Sequence, residues 1–345
     1  MIDLRSDTVT RPTPAMLEYM TKAKVGDDVF GEDPTVNEIE SIAAGMFGME
    51  SALYCPTGTM SNQVAIKAHT HPGDEVICDK TAHVYQYEGG GIAFNSGAQT
   101  RLLDGERGRF TAAMVENAIN PDDVHKAHTS LVCIENTSNR GGGSCYDLSE
   151  IELIRETCDT HQLKLHLDGA RLFNALVATG QSAKSFGELF HSISVCLNKG
   201  LGCPIGSILI SNHEIIKKAR RIRKVFGGGM RQAGFMAASG IYALQNHIDR
   251  LQVDHENAAR VGKHLLKKNF VKGVLPVSTN IVIFEMTDDI DAKLVMKQLL
   301  EQGIKCLTIS ATQIRMVFHL DISSEDVTRI LNALDSVRPA TTFKS

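Results

Sequence analysis

Val195-Cys196-Leu197-Asn198-Lys199-Gly200-Leu201-Gly202-Cys203-Pro204-Ile205-Gly206-Ser207 joins two apolar runs through a single lysine. The runs, Ile193 to Leu197 and Ile205 to Ile210, have the length and composition of short buried strands. Glycines and a proline fill the return between them. A lysine closing a buried strand is costly unless its charge is lost or paired. Lysines kept in such places act on carbonyls, as Schiff-base formers. If Lys199 is one of these, the rest of the chain must supply a home for an aldehyde cofactor, pyridoxal phosphate.

Working outward, short apolar runs alternate with helical patterns from about residue 35 to 245. The runs are 51–55, 75–78, 131–135, 163–167 and 193–197. Asp33-Pro34 starts a helix well, since Asp caps and Pro suits the first helical position. Val36, Ile39, Ala43 and Met46 then follow helical spacing. Ser149-Glu150-Ile151-Glu152 has capping-box spacing before a helix to about His161. Strands alternating with helices imply an α/β domain with a mostly parallel sheet. After Asn246 the pattern changes. A polar helix over 247–268, a strand over 280–286, a helix over 291–302, a strand over 313–318 and a helix over 324–337 suggest a smaller α+β unit. The expected division is therefore 1–245 and 246–345, with a frayed tail over 339–345.

Lys+Arg number 36 and Asp+Glu 40, so net charge gives no reason to expect nucleic acid or a membrane surface as partner. The first residues lack a signal-peptide pattern, and no apolar run is long enough to span a bilayer. The eight cysteines include no CxxC pair. Reduced thiols in a cytoplasmic protein are the expectation.

Several residues carry possible chemistry. Asp168 closes the run Leu163–Leu167, where open α/β sheets bind ligands. It suits a buried cation such as a pyridinium nitrogen, or equally a helix cap or a partner for Arg171. Thr57-Gly58-Thr59 turns from strand into helix, a place for a phosphate. His83 is placed to stack on a ring, to act as a base, or only to pack. His125 and His128 stand three apart, but no further ligands follow at zinc-like spacing, so no metal is expected. Arg171 and Arg315 suit a carboxylate clamp or structural ion pairs. Lys224 ends a basic helix before Gly227-Gly228-Gly229, either solvated or reaching a phosphate across a subunit interface. No G-x-G-x-x-G or P-loop is present, which counts against nucleotides.

Taken in order, these motifs resemble the low-specificity L-threonine aldolases, fold-type-I pyridoxal-phosphate enzymes. The resemblance runs through Asp3-Leu4-Arg5-Ser6-Asp7-Thr8, Gly31-Glu32-Asp33-Pro34, Pro56-Thr57-Gly58-Thr59, Leu167-Asp168-Gly169-Ala170-Arg171, Asn198-Lys199-Gly200 and Gly227-Gly228-Gly229-Met230-Arg231-Gln232. It implies retro-aldol cleavage of L-threonine and L-allo-threonine to glycine and acetaldehyde. Another pyridoxal-phosphate reaction on this fold, β-elimination, racemisation or transamination, is the alternative. It implies that Lys199 bonds the cofactor and Asp168 pairs with its ring nitrogen. Arg171 would lie near the ring oxygen and the substrate carboxylate. Gly58 and Thr59 would hold the phosphate with Lys224 of a neighbouring subunit, and His83 would stack on the ring. Ser6 and Arg315 would bind the substrate carboxylate, and His125 would lie near its hydroxyl. The base is left open among His83, His125 and a water. The resemblance also implies a homo-oligomer, a tetramer built as a dimer of dimers with active sites at the dimer interface. The chain departs from the family pattern at Phe30, Ser138 and Asn198.

Overall fold

The computed structural model describes residues 1–338, so the tail read as frayed lies outside them. After a two-residue strand, Ile2–Asp3 (β1), the chain lays down Ser51–Cys55 (β2), Glu75–Asp79 (β3), Gln99–Leu103 (β4), Thr129–Glu135 (β5), Lys164–Gly169 (β6), Ser192–Cys196 (β7) and Ser207–Ser211 (β8). The last seven form one sheet in the order β2-β8-β7-β6-β5-β3-β4. β8 is antiparallel to both its neighbours, and the other pairs are parallel. Every strand but β8 therefore points the same way, and their carboxyl ends share one edge. Helices cover both faces, so β3, β5, β7 and β8 are buried along their whole lengths. That is why they read as unbroken apolar runs rather than as alternation.

Local signals set most helix starts. Asp33 caps the helix Pro34–Phe47 by accepting from the N–H groups of Thr35 and Val36 at 3.1 and 3.0 Å. The helix Leu148–Thr160 begins earlier than the Ser149 spacing suggests. Its N-cap is Asp147, whose N–H donates to Glu150 Oε2 at 3.0 Å. Asp caps as well as Ser, and of the two glutamates at capping-box spacing it is Glu150, three residues after Asp147, whose carboxylate turns back.

The C-terminal strands are Val271–Val274 (β9), Ile281–Met286 (β10), Ile304–Lys305 (β11), Leu307–Thr308 (β12) and Gln313–Val317 (β13). Four of them form the antiparallel sheet β12-β13-β10-β9. The helix expected over 247–268 spans Leu251–Leu265. The residues before it turn instead, and His247 Nδ1 reaches the carbonyl of Leu201 at 2.7 Å. This helix enters the large core at Leu251 and leaves in the second core at Ala258, Val261 and Leu265. The chain's first residues also belong to the second core. β1 pairs with β11, and Ile2 and Leu4 pack beside Phe284, Met316 and Leu299. The N-terminal segment thus crosses from the small sheet to the edge where the large sheet's strands end.

Gly187 lies on the helix Ala183–Leu189, where a Cβ would stand 1.7 Å from the carbonyl oxygen of Phe47. Backbone cannot move aside as a side chain can. Gly187→Ala is expected to cost about 1–3 kcal/mol of unfolding free energy. Urea denaturation of the variant beside the parent checks this.

Candidate active site

Four strand ends, those of β2, β3, β6 and β7, converge on one cleft, lined by Thr57, Gly58, Thr59, Asn62, His83, Asp168, Ala170, Cys196, Asn198 and Lys199. Lys199 sits in the return from β7 to the reversed β8. The return is pinned by backbone bonds from Leu197 N–H to the carbonyl of Gly206 at 3.0 Å, Cys203 N–H to Leu197 at 3.2 Å and Gly202 N–H to Lys199 at 2.9 Å. Lys199 Nζ lies 3.5 Å from Cys196 Sγ, its hydrogen-bond acceptor. Burial keeps that thiol protonated, its pKa raised despite the nearby ammonium.

β2 runs into Thr57, whose hydroxyl accepts from Met60 N–H at 3.1 Å and caps the helix Gly58–His69. The first N–H groups of that helix lie at the cleft with the positive end of its dipole behind them. A Cβ on Gly58 would meet Cys196 Sγ at 2.5 Å, so position 58 takes no side chain. Asp168, near the end of β6, is 2 % exposed. Its Oδ1 accepts from Ala170 N–H at 3.1 Å, while its buried Oδ2 has no partner. A buried carboxylate oxygen left without a donor calls for a cation or an N–H from a ligand.

His83 follows β3. Its backbone N–H donates to Glu135 Oε2 at 2.7 Å, and its Nδ1 meets Glu88 Oε1 at 2.9 Å. Glu135 ends β5, buried beside Asp168, and burial together with the Asp168 charge pushes its pKa up to about 7. Its other oxygen accepts from Asn139 N–H at 2.8 Å. The nitrogen and oxygen atoms of His83, Glu88 and Asp168 lie within 4.8 Å of one another. Glu88 spends its oxygens on three hydrogen bonds, from His83, Asn62 and Gln63.

Arg171 is buried, and its Nε and Nη2 each reach Asp7 at 2.7 Å. The fork expected to clamp a carboxylate ligand is thus already engaged with a carboxylate of the chain. The Arg171 charge holds Asp7 low in pKa against the opposing effect of burial. Arg315, on β13, donates from Nη1 to Asn139 Oδ1 at 2.7 Å and from Nη2 to the carbonyl of Arg5 at 3.1 Å. Its Nε is buried and unpartnered. Burial first, and the like charge of Arg171 second, lower its pKa to about 10. Ser6, next to Arg5, accepts from the N–H of Thr8 at 3.2 Å and its hydroxyl at 2.9 Å.

Arg171, Arg315 and Ser6 are not among the residues lining the cleft, and neither are His125 and Lys224. His125 is exposed on the loop leading into the amino end of β5, its Nδ1 on Asp123 at 2.8 Å. The cleft lies at the other end of that strand. Lys224, in the last turn of the helix His213–Val225, is exposed and does not line the cleft. Asp7, Glu88, Glu135, Asn139 and Asn62 were not singled out from the sequence. Glu135 carried a signal, since it closes an apolar run as Asp168 does.

Residues 3–289 match the family model described as Beta-eliminating lyase. A low specificity L-threonine aldolase of Escherichia coli K12 is 43% identical over 334 residues, covering 96% of this chain and 97% of that one. The chain belongs to this family. A second family member, low-specificity L-threonine aldolase 1 of Arabidopsis thaliana, is 39% identical, covering 94% and 93%. Among solved structures, a threonine aldolase of Leishmania major superposes with a TM-score of 0.84 at 20% identity over 97% and 99% of the two chains, a likeness of fold. Enzymes of this family use pyridoxal phosphate. The cleft fits it: a lysine, an unpartnered buried acceptor and a helix start where no side chain obstructs a phosphate lie together.

Lys199→Ala is therefore expected to abolish the visible absorbance of the cofactor-loaded protein, with the fold unchanged by circular dichroism. Retention of that band in the variant would remove Lys199 from this role.

Proposed function

We propose that this protein cleaves L-threonine, L-allo-threonine and related β-hydroxy-α-amino acids to glycine and an aldehyde, acetaldehyde in the case of threonine. One observation carries the reading. A buried acceptor without a partner, Asp168 Oδ2, lines the cleft, and a buried guanidinium nitrogen without one, Arg315 Nε, belongs to an arginine within reach of the Arg171 charge. The first suits a ring N–H and the second an amino-acid carboxylate.

The residues then divide the work. Lys199 holds the cofactor and Asp168 keeps its ring nitrogen protonated. The backbone at Gly58 and Thr59 takes the phosphate. Pyridoxal phosphate, when bound, would supply an electron sink for the bond that breaks at Cα. Arg315 grips the carboxylate, and the neighbouring Ser6 lines the same path. Arg171, its charge balanced by Asp7, offers only the nitrogen that Asp7 leaves free. That grip would decide which Cα bond is the one to break. The β-hydroxyl proton goes to a base, its oxygen becomes the aldehyde carbonyl, the Cα–Cβ bond breaks, and a proton is returned to Cα. General-base help is worth roughly 10²–10⁴-fold. His83 is the histidine in this chain's own cleft, and its Nε2 has no hydrogen-bond partner among the described residues.

We also propose a homo-oligomer, a tetramer assembled as a dimer of dimers, with each cleft completed by a neighbour. Phe30, Phe94 and Val225 are 73, 90 and 80 % exposed, apolar side chains that a neighbouring copy would cover. In that assembly Lys224 adds its charge to a neighbour's phosphate, and His125 acts only from a neighbouring copy. A cytoplasmic location accords with eight free thiols. No helix among the described residues is long and apolar enough to cross a membrane.

Purified, cofactor-loaded protein is expected to release glycine and acetaldehyde in equal amounts from either threonine isomer. A keto acid or the D-amino acid as sole product would favour the alternative chemistries. Arg315→Ala is expected to raise KM about ten- to a hundredfold, the loss of one charged hydrogen bond worth about 1.5–3 kcal/mol. Steady-state kinetics with L-threonine measure it.

A further inference from the structure

A series of buried polar side chains runs away from the cleft behind His83. Glu88, whose side chain is fully buried, accepts from His83 Nδ1 at 2.9 Å, Asn62 Nδ2 at 2.9 Å and Gln63 Nε2 at 2.6 Å. Asn62 Oδ1 lies 3.2 Å from His166 Nε2, and His166 Nδ1 lies 2.8 Å from Ser192 Oγ. Ser192 Oγ in turn lies 2.8 Å from His69 Nε2. Asn62 and His69 occupy one helix, Gly58–His69, the first near its cleft end and the second at its last residue.

The donor direction at every link follows from the carboxylate. Ionised Glu88 only accepts, so Asn62 must turn its NH₂ toward it and its oxygen toward His166. His166 Nε2 must then carry a proton. His166 is fully buried in β6, and burial lowers its pKa to about 4, so the ring is neutral and Nδ1 accepts. Ser192 must therefore donate to Nδ1, which leaves its oxygen to accept from His69 Nε2–H. His69 is likewise neutral, its pKa lowered by burial to about 3. Four donors in series all point toward Glu88, and aligned hydrogen bonds of this kind polarise one another. His83 meets the same oxygen from the other side and must donate through Nδ1. Gly91 makes room for the arrangement, since a Cβ there would stand 2.5 Å from the Gln63 amide.

We propose that Glu88 is the positioning residue for His83, and that the series His69–Ser192–His166–Asn62 sets the orientation of its carboxylate and thereby the tautomer of the imidazole. His83 is held with its proton on Nδ1 and its Nε2 left for the cleft. The inference rests on the reading of His83 as a working residue of the site. Its geometry does not depend on which bond of a substrate breaks.

The charged groups around His83 come from four elements. Glu88 lies on the following loop, Asp168 on β6, Lys199 in the return after β7, and Glu135 on β5 against the backbone N–H. Burial disfavours the charged imidazole. The Glu88 hydrogen bond and the charges of Asp168 and Glu88 outweigh burial and the opposing Lys199, so the pKa of His83 stands above the ordinary histidine value.

The test is ¹⁵N-resolved NMR titration of the histidine rings in the full-length protein, cofactor-free and pyridoxal-phosphate-loaded. In the parent, His83 is expected to carry its proton on Nδ1 when neutral and to titrate above an ordinary histidine. Glu88→Gln removes the negative partner, so the His83 midpoint falls. In the loaded enzyme kcat drops about ten- to a hundredfold, as for comparable outer partners of a working histidine, with KM changed less. Glu88→Asp, which keeps the charge, restores part of the midpoint. Ser192→Ala touches neither His83 nor Glu88, yet it is expected to alter the His166 tautomer and, through it, the His83 ring signals. A folded Glu88→Gln protein with unaltered His83 midpoint and tautomer overturns the positioning role. Unaltered His83 signals in Ser192→Ala overturn the relay. Both readouts are taken without substrate, so a protein that passes them and releases no glycine refutes the aldolase reading alone.

Discussion

The buried ion pair between Asp7 and Arg171 is the contact on which the site's electrostatics depend. It ties the N-terminal segment to the end of β6, and Asn280, beside β10, adds a bond to Asp7 at 3.4 Å. Breaking a buried pair by removing one partner costs about 3–5 kcal/mol, because the other charge is left uncompensated. Its larger effect is on what remains. Asp7 neutralises one of two neighbouring guanidiniums, so Arg315 is left cationic and short of a partner. In the cleft Asp168 Oδ2 is left short of a donor. A folded chain that leaves one buried cation and one buried anion unpaired has prepared places for an anion and a cation from outside.

The same pair explains what the sequence disclosed and what it hid. The strands bearing Asp168, Glu135 and Lys199 were readable because burial on both faces makes them continuous apolar runs. Their polar ends then stand out. Lys199, Asp168, Gly58 and His83 meet in the cleft, as a parallel sheet with its strand ends on one edge requires. Asp7 was not readable as a partner of Arg171, since the two are brought together only when β1 pairs with β11 in a two-stranded sheet of their own. Two residues are too short to show a period. Arg171 and Arg315 look alike in sequence, and only packing gives the first a chain carboxylate and leaves the second a free nitrogen. Glu88 and Asn62 lie in a loop and a helix with no pattern to mark them. A hydrogen-bond series linking a helix, a loop and two strands has no linear signature.

His125 shows a different limit. Its spacing from the surrounding motifs suits the family, yet in this chain it faces solvent at the far end of β5. A linear motif records that residues work in one site and does not record whether one chain or two supply them.

The return that carries Lys199 has a consequence for turnover. Because β8 runs back beside β7, the backbone on both sides of the lysine is stapled to its own hairpin. Its soft sulfur acceptor, Cys196, is only weakly competitive for the ammonium. In the role proposed for it, Lys199 would exchange partners by rotating its own methylene chain. The entropic exchange is limited to the roughly 1.5–2 kcal/mol of rotamer freedom that one lysine side chain commands. No loop has to melt and refreeze, so the protein behaves at this point as a rigid bearing with one moving arm.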